Sequence, residues 1–250
     1  MSPRPYRMGR RQAVVEQTRA RVLAAARSVL ADPSGYKAFT VDAVAQAADV
    51  ARPTIYYQFG SKRGLIEALC DSLADQSGMG ELAAAFGEPE PLAGLERVVA
   101  VFARFWAADR AVTRRLRALA ALDPDIGAVI AARDERRRQA LQALITKPGA
   151  AQRPAAGAVS TAVAVLTALT SFETFDVIAG GGGPDREPAD RAEPADRAEP
   201  ADREDRADAG HGEGHDGDAG RAADAGRVAT VLSQLLPAVV ALAWRESPGV

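Results

Sequence analysis

The stretch Phe39-Thr40-Val41-Asp42-Ala43-Val44-Ala45-Gln46-Ala47-Ala48-Asp49-Val50-Ala51-Arg52-Pro53-Thr54-Ile55-Tyr56-Tyr57-Gln58-Phe59-Gly60-Ser61-Lys62 decides how this chain folds. Val41, Val44, Ala45 and Ala48 stand at i, i+3, i+4 and i+7, the apolar side of a two-turn helix that Thr40 can cap. After Asp49-Val50 a second short helix runs from Arg52 to Phe59. Its Pro53 occupies the first turn, where a missing N–H costs nothing. Gly60 stops that helix and Ser61 can cap the next.

Two short helices joined by a tight turn form the unit that lays a recognition helix into the DNA major groove. Arg52, Thr54, Tyr56, Tyr57 and Gln58 give the second helix a polar and aromatic face, while Ile55 and Phe59, four residues apart, anchor the other side. A guanidinium can bridge guanine O6 and N7, and hydroxyls and amides can bond phosphates or base edges. Lys62, just past the helix, is placed for a phosphate. Two tyrosines that merely pack are the alternative for this face.

Upstream, Val15, Val22, Ala26, Val29 and Leu30 recur at helical spacing with arginines opposite. They predict an amphipathic helix over 13–31, ended by Asp32-Pro33-Ser34-Gly35 and preceded by a flexible basic arm over 1–12. Residues 1–63 hold 11 basic and 4 acidic residues, a net +7 inside a chain whose total is −2. A polyanionic partner for this end follows from that excess.

Downstream, periodic segments at 62–77, 92–108, 111–122, 124–146, 154–179 and 227–245 bring the expectation to about nine helices and no strand, an all-α fold. Ala, Leu and Arg dominate and aromatics are only 5%, which also favours helix over sheet. Pro237 should kink or divide the last helix. Residues 180–226 open with four glycines, repeat Glu-Pro-Ala-Asp-Arg at 187–191, 193–197 and 199–203, and carry a net −7 within 180–227. With almost no apolar side chains the segment is expected to be a disordered acidic insert.

The quoted run resembles the helix-turn-helix of the TetR family, and the resemblance extends from Arg19 to Leu69. It implies a DNA-binding domain over 13–69 and a helical regulatory and dimerisation domain over 70–250. By that resemblance Thr40, Arg52, Pro53, Thr54, Tyr56, Tyr57 and Lys62 occupy the DNA-contacting positions, with Tyr56 and Lys62 on phosphates. Asp49 departs from the family's preferred Gly and Ala51 from its capping Ser, although Asp tolerates the left-handed region such a turn needs. Gly64 stands where a Glu would complete a capping box with Ser61.

The resemblance further implies core helices around a small-molecule cavity and a four-helix dimer seam built from the last two long helices. Phe102, Phe105, Trp106, Leu116, Leu119, Phe172 and Phe175 are the candidate walls for a small apolar effector, with ordinary core filling as the alternative. Gly157, Ala158, Thr161, Ala162 and Val165 would let a partner helix approach, and Val228, Val231, Leu232, Leu235, Val239 and Leu242 form an apolar stripe suited to the seam. The expectation is thus a homodimeric regulator of a double-stranded DNA operator, a repressor released by a small molecule. A DNA-binding regulator without an effector, controlled by a protein that engages the acidic insert, is the alternative.

Other classes find little support. Cys70 is the single cysteine, so an internal disulfide is excluded and a reducing cytoplasm suits the chain. No apolar run follows the basic N-terminus, so a secretory signal is not expected. Residues 154–172 are uncharged over nearly a span's length, but their Gly, Ser and Thr content and lack of an aromatic belt predict a packed helix and no membrane. His211 and His215 sit among glycines that cannot aim both rings at a metal. No nucleophile with a nearby base and no phosphate loop appears, so neither an enzyme nor a cofactor is expected.

Overall fold

A computed structural model describes residues 5–32, 39–147, 156–180 and 213–243, with side chains over 12–32, 39–147, 157–180 and 217–241. Among these residues lie eleven α-helices, one 3-10 turn (Met79–Glu81) and no strand. In chain order the helices are α1 (Pro5–Ala31), α2 (Val41–Ala47), α3 (Arg52–Phe59), α4 (Lys62–Gln76), α5 (Leu82–Ala85), α6 (Pro91–Ala108), α7 (Arg110–Ala120), α8 (Pro124–Ile145), α9 (Ala156–Leu169), α10 (Phe172–Ile178) and α11 (Glu213–Ala243).

The all-α expectation holds, and several boundaries move. The first helix begins at Pro5, so residues 5–12 of the expected basic arm are helical. Pro is tolerated at a first helical position, and the arginines and glutamine that follow are good helix formers. The single helix expected over 154–179 is broken at Thr170-Ser171, where the Ser171 hydroxyl accepts from the Thr174 N–H at 3.2 Å and starts α10 afresh. The last helix begins at Glu213 rather than 227, which makes 213–226 of the expected insert helical. Ala225 is buried there, Arg221 and Arg227 pair with Asp218 and Asp224 three residues earlier, and Asp224 lies 3.9 Å from Arg110 of α7. The three pentapeptide repeats and His211 fall outside the described residues. Pro237 does not divide α11, which continues to Ala243.

Two apolar cores result. One joins Val22, Ala26 and Leu30 of α1, Val44 of α2, Ile55 of α3 and Leu65 and Leu69 of α4 to Val112 and Leu116 of α7 and Ile126 and Val129 of α8. The other gathers α6, the C-terminal part of α8, α9, α10 and α11, with Phe102, Leu144, Leu166, Phe175, Val228 and Leu236 among its buried side chains. Phe105 packs against both. Apolar burial of this kind contributes roughly 25 cal/mol per Å², so the N-terminal helices draw much of their stability from helices more than 40 residues further along.

No single helix among the described residues is long and apolar enough to cross a membrane. The uncharged segment forms α9 and α10, bent by 53° to one another, and Ala162, Val163, Leu166, Phe172 and Phe175 bury themselves in the second core.

Candidate nucleic-acid interface

The geometry of α2 and α3 follows from three local devices. The Thr40 hydroxyl accepts from the Ala43 N–H at 3.1 Å and fixes the start of α2. Asp49 takes the left-handed conformation (φ 48°) that turns the chain between the two helices. Gly60 (φ 75°) closes α3, and the Ser61 hydroxyl accepts from the Gly64 N–H at 3.0 Å to open α4. Ala51, which has no side-chain oxygen to offer, leaves the α3 N-terminus without a side-chain cap.

Ile55 is wholly buried and Phe59 half-buried, so one side of α3 is clamped to the N-terminal core. Arg19 reinforces the clamp: its guanidinium stands 4.5 Å from the Phe59 ring centroid and donates to the Gln58 carbonyl at 3.2 Å. The Gln58 amide donates back to the Val15 carbonyl at 3.3 Å, so this residue, read as part of the polar face, braces α3 against α1.

The other side of α3 faces solvent. Arg52 and Pro53 are exposed, Thr54 is half-buried, Tyr56 is 38% exposed and Tyr57 85%. Arg52 donates to the Tyr56 hydroxyl at 3.2 Å and pairs with exposed Asp42 of α2, also at 3.2 Å. The Tyr56 hydrogen bond and Asp42 hold the guanidinium firmly charged. An ion pair this exposed stabilises little, so Arg52 can exchange Asp42 for another anion at small cost.

Lys62 is arranged differently. Its ammonium is paired with Asp123, whose carboxylate also accepts from the backbone N–H of Asp125 at 3.0 Å and Ile126 at 3.3 Å and so caps α8. Burial pushes the Asp123 carboxyl up, but Lys62 and the two N–H donors outweigh that and leave it below its ordinary value. Of the seven residues expected at the interface, Thr40 caps α2 and Arg52, Pro53, Thr54, Tyr56 and Tyr57 lie on α3, whereas Lys62 reaches from the start of α4 to the start of α8. That link was missed because spacing along the chain reports nothing about a partner 61 residues away.

A cavity of about 310 Å³ lies between α4, α6, α7 and α8. Phe102, Phe105, Trp106 and Leu116, four of the seven candidate wall residues, line it. Leu119, Phe172 and Phe175 do not. Leu119 packs against the N-terminal core, and Phe172 sits edge-on to Trp106 with centroids 5.7 Å apart, where it and Phe175 fill the second core. Trp106 is held by its indole N–H, which donates to the Thr170 carbonyl at 3.0 Å. Arg117, Arg133, Asp134, Arg136 and Arg137 line the cavity as well. Cys70, on the α4 wall, is buried, and burial pushes its thiol up against the opposing effect of Arg133.

The stripe expected at a dimer seam divides. Val228, Leu232 and Val239 turn into the second core, joined by Leu236, while Val231 and Leu235 remain exposed; the Leu242 side chain lies outside the described residues. On α9, Ser160, Thr161, Ala164 and Ala168 face outward.

Residues 22–69 match the family model described as bacterial regulatory proteins, tetR family. No curated protein sequence matches the chain. A solved TetR-like transcriptional regulator from Rhodococcus sp. RHA1 aligns with a TM-score of 0.50 over 98% of this chain and 97% of that one, at 20% identity, a likeness of fold.

Proposed function

Through residues 22–69 this chain belongs to the tetR family of bacterial regulatory proteins, and from that premise we propose that it is a homodimeric, operator-specific repressor that a small molecule releases from DNA. The outer face of α3 carries the proposal: Ile55 locks the helix from below while Arg52, Pro53, Tyr56 and Tyr57 are presented to solvent on an N-terminal segment of net +7. Arg52 reads a guanine edge, Thr54 and Tyr57 contact bases or sugar-phosphate, and Tyr56 and the Thr40 hydroxyl bond phosphates. Lys62 reaches a phosphate by leaving Asp123.

A single short reading helix gains affinity and specificity when two copies engage half-sites one or more helical turns apart. The outward residues of α9, with Val231 and Leu235 of α11, are the seam we assign to that pairing. The cavity is the effector site. It touches α4, whose first residue binds Asp123, so a ligand that shifts α4 against α8 moves the reading head. A protein that acts on genomic DNA works in the cytoplasm.

Genome-wide mapping of bound sites, followed by titration of a recovered site with the unaltered chain and Arg52→Ala, tests the proposal. Bound sites sharing one motif, loss of affinity in the variant and an unchanged melting temperature are expected. Uniform binding to unrelated DNA would overturn it.

A further inference from the structure

Among the described residues, four arginines and one carboxylate, Asp134, border the cavity. Asp134 is shared, forming an ion pair with Arg137 at 3.2 Å and accepting from Arg117 at 3.3–3.4 Å, longer than the 2.7–2.9 Å usual for charged pairs. Arg117 has a second partner in Glu173, and Arg133 is held by Asp71 at 2.6 Å. Among the described residues, Arg137 is left with its share of Asp134 as its ion-pair partner.

Arg137 is also the most deeply placed of them. The residue is 7% exposed, and its Nε is buried without a hydrogen-bond partner, as is that of Arg133. Its guanidinium stands 5.7 Å from the Phe102 ring centroid and 6.0 Å from that of Trp106. Such ring faces favour a cation but give its N–H groups no acceptor in the ring plane. A buried charge with an unmet donor is costly unless something supplies the missing acceptor.

We propose that this cavity takes an amphipathic organic anion, whose carboxylate meets Arg137 while its aryl or alkyl body lies against Phe102, Phe105, Trp106 and Leu116. The inference rests on the cavity being the effector site and adds the chemistry of what it admits. A planar guanidinium whose Nε–H is unmet suits a carboxylate, and the apolar side chains of Phe102 and Trp106 stand beside it. The volume, at the low end for small-molecule sites, sets a compact ligand.

The test compares head groups on one body with the full-length protein. Octanoate, octan-1-ol and octyltrimethylammonium are titrated by calorimetry and by melting temperature, and each is added to a preformed protein–DNA complex. Octanoate should bind at least tenfold more tightly than either of the others. Arg137→Gln should weaken octanoate at least tenfold and leave octanol within about twofold, and Arg137→Lys should keep the preference for octanoate. Equal or tighter binding of octanol or the ammonium compound, a preference that survives Arg137→Gln, or no binding by any of the three would overturn the inference. The comparison on the unaltered chain decides the matter even if Arg137→Gln does not fold. Release of DNA by octanol or the ammonium compound would leave the effector proposal standing while this inference falls. Octanoate that binds through Arg137 without releasing DNA would sustain the inference and remove the effector proposal.

Discussion

Asp49 holds a backbone conformation that glycine adopts freely and other residues resist. Asp49→Gly should therefore raise stability by about 0.5 kcal/mol, and Asp49→Val, whose branched Cβ crowds the same backbone, should lower it by about 1–2 kcal/mol. Thermal melts of the two variants check both signs. The turn was legible because the sequence offers Asp where a left-handed residue is needed. The exposure of Arg52 and Tyr56 on α3 was legible, but not the hydrogen bond that makes Tyr56 a rest for the Arg52 side chain. Tyr56→Phe should accordingly lose more than one phosphate contact, about tenfold or more in operator affinity, because a bond to a charged group is worth roughly 1.5–3 kcal/mol. An electrophoretic titration against an identified operator measures it, and unchanged affinity would contradict the role given to the hydroxyl.

Caps were the elements' most readable feature: Thr40 and Ser61 each begin a helix as their side-chain chemistry dictates. Ser171 does the same for α10, yet it stood inside an unbroken apolar pattern that drowned its signal. The start of α11 was hidden for the opposite reason, because Gly, Ala and Asp from 213 to 226 show no apolar period and the helix gains its footing from Ala225 and Arg110. The ion pair between Lys62 of α4 and Asp123 of α8 makes a prediction about elements. Asp123→Asn keeps an oxygen for the Asp125 and Ile126 N–H groups but loses the charge that retains Lys62. Operator affinity should rise several-fold, with the salt dependence unchanged. Lys62→Met should weaken binding and reduce the slope of log affinity against log salt by about 1, the amount one lost phosphate contact removes. Identical slopes for Lys62→Met and the unaltered chain would place Lys62 off the DNA.

Across the whole molecule, arginines on one helix repeatedly hold carboxylates on another, and this sets a response to acid. Burial alone would push Asp176 up, but Arg114 at 2.6 Å and Arg110 at 2.5 Å outweigh it and hold the carboxyl below its ordinary 3.8, where Asp123 also stands. A carboxyl depressed by folding stabilises the protein above its unfolded value and loses that contribution as pH falls through its folded value. The melting temperature should thus be level above about pH 5 and fall below about pH 4, with a flatter acid limb in Asp176→Asn. Long-range pairing of this kind was beyond the sequence, as was the division of the core. That division makes the N-terminal helices a poor separable part. Val112, Leu116, Ile126 and Val129 complete the apolar interior beneath α1 and α4, so cutting the chain after Gln76 would strip that interior of one wall. Circular dichroism of the isolated 1–76 fragment should show helix without a cooperative melt. The reading head cannot be transplanted onto another regulator as a cassette: a working chimaera would have to import α7 and the first turns of α8 along with it, and recombination points that keep function should fall beyond Ile130 rather than near residue 70.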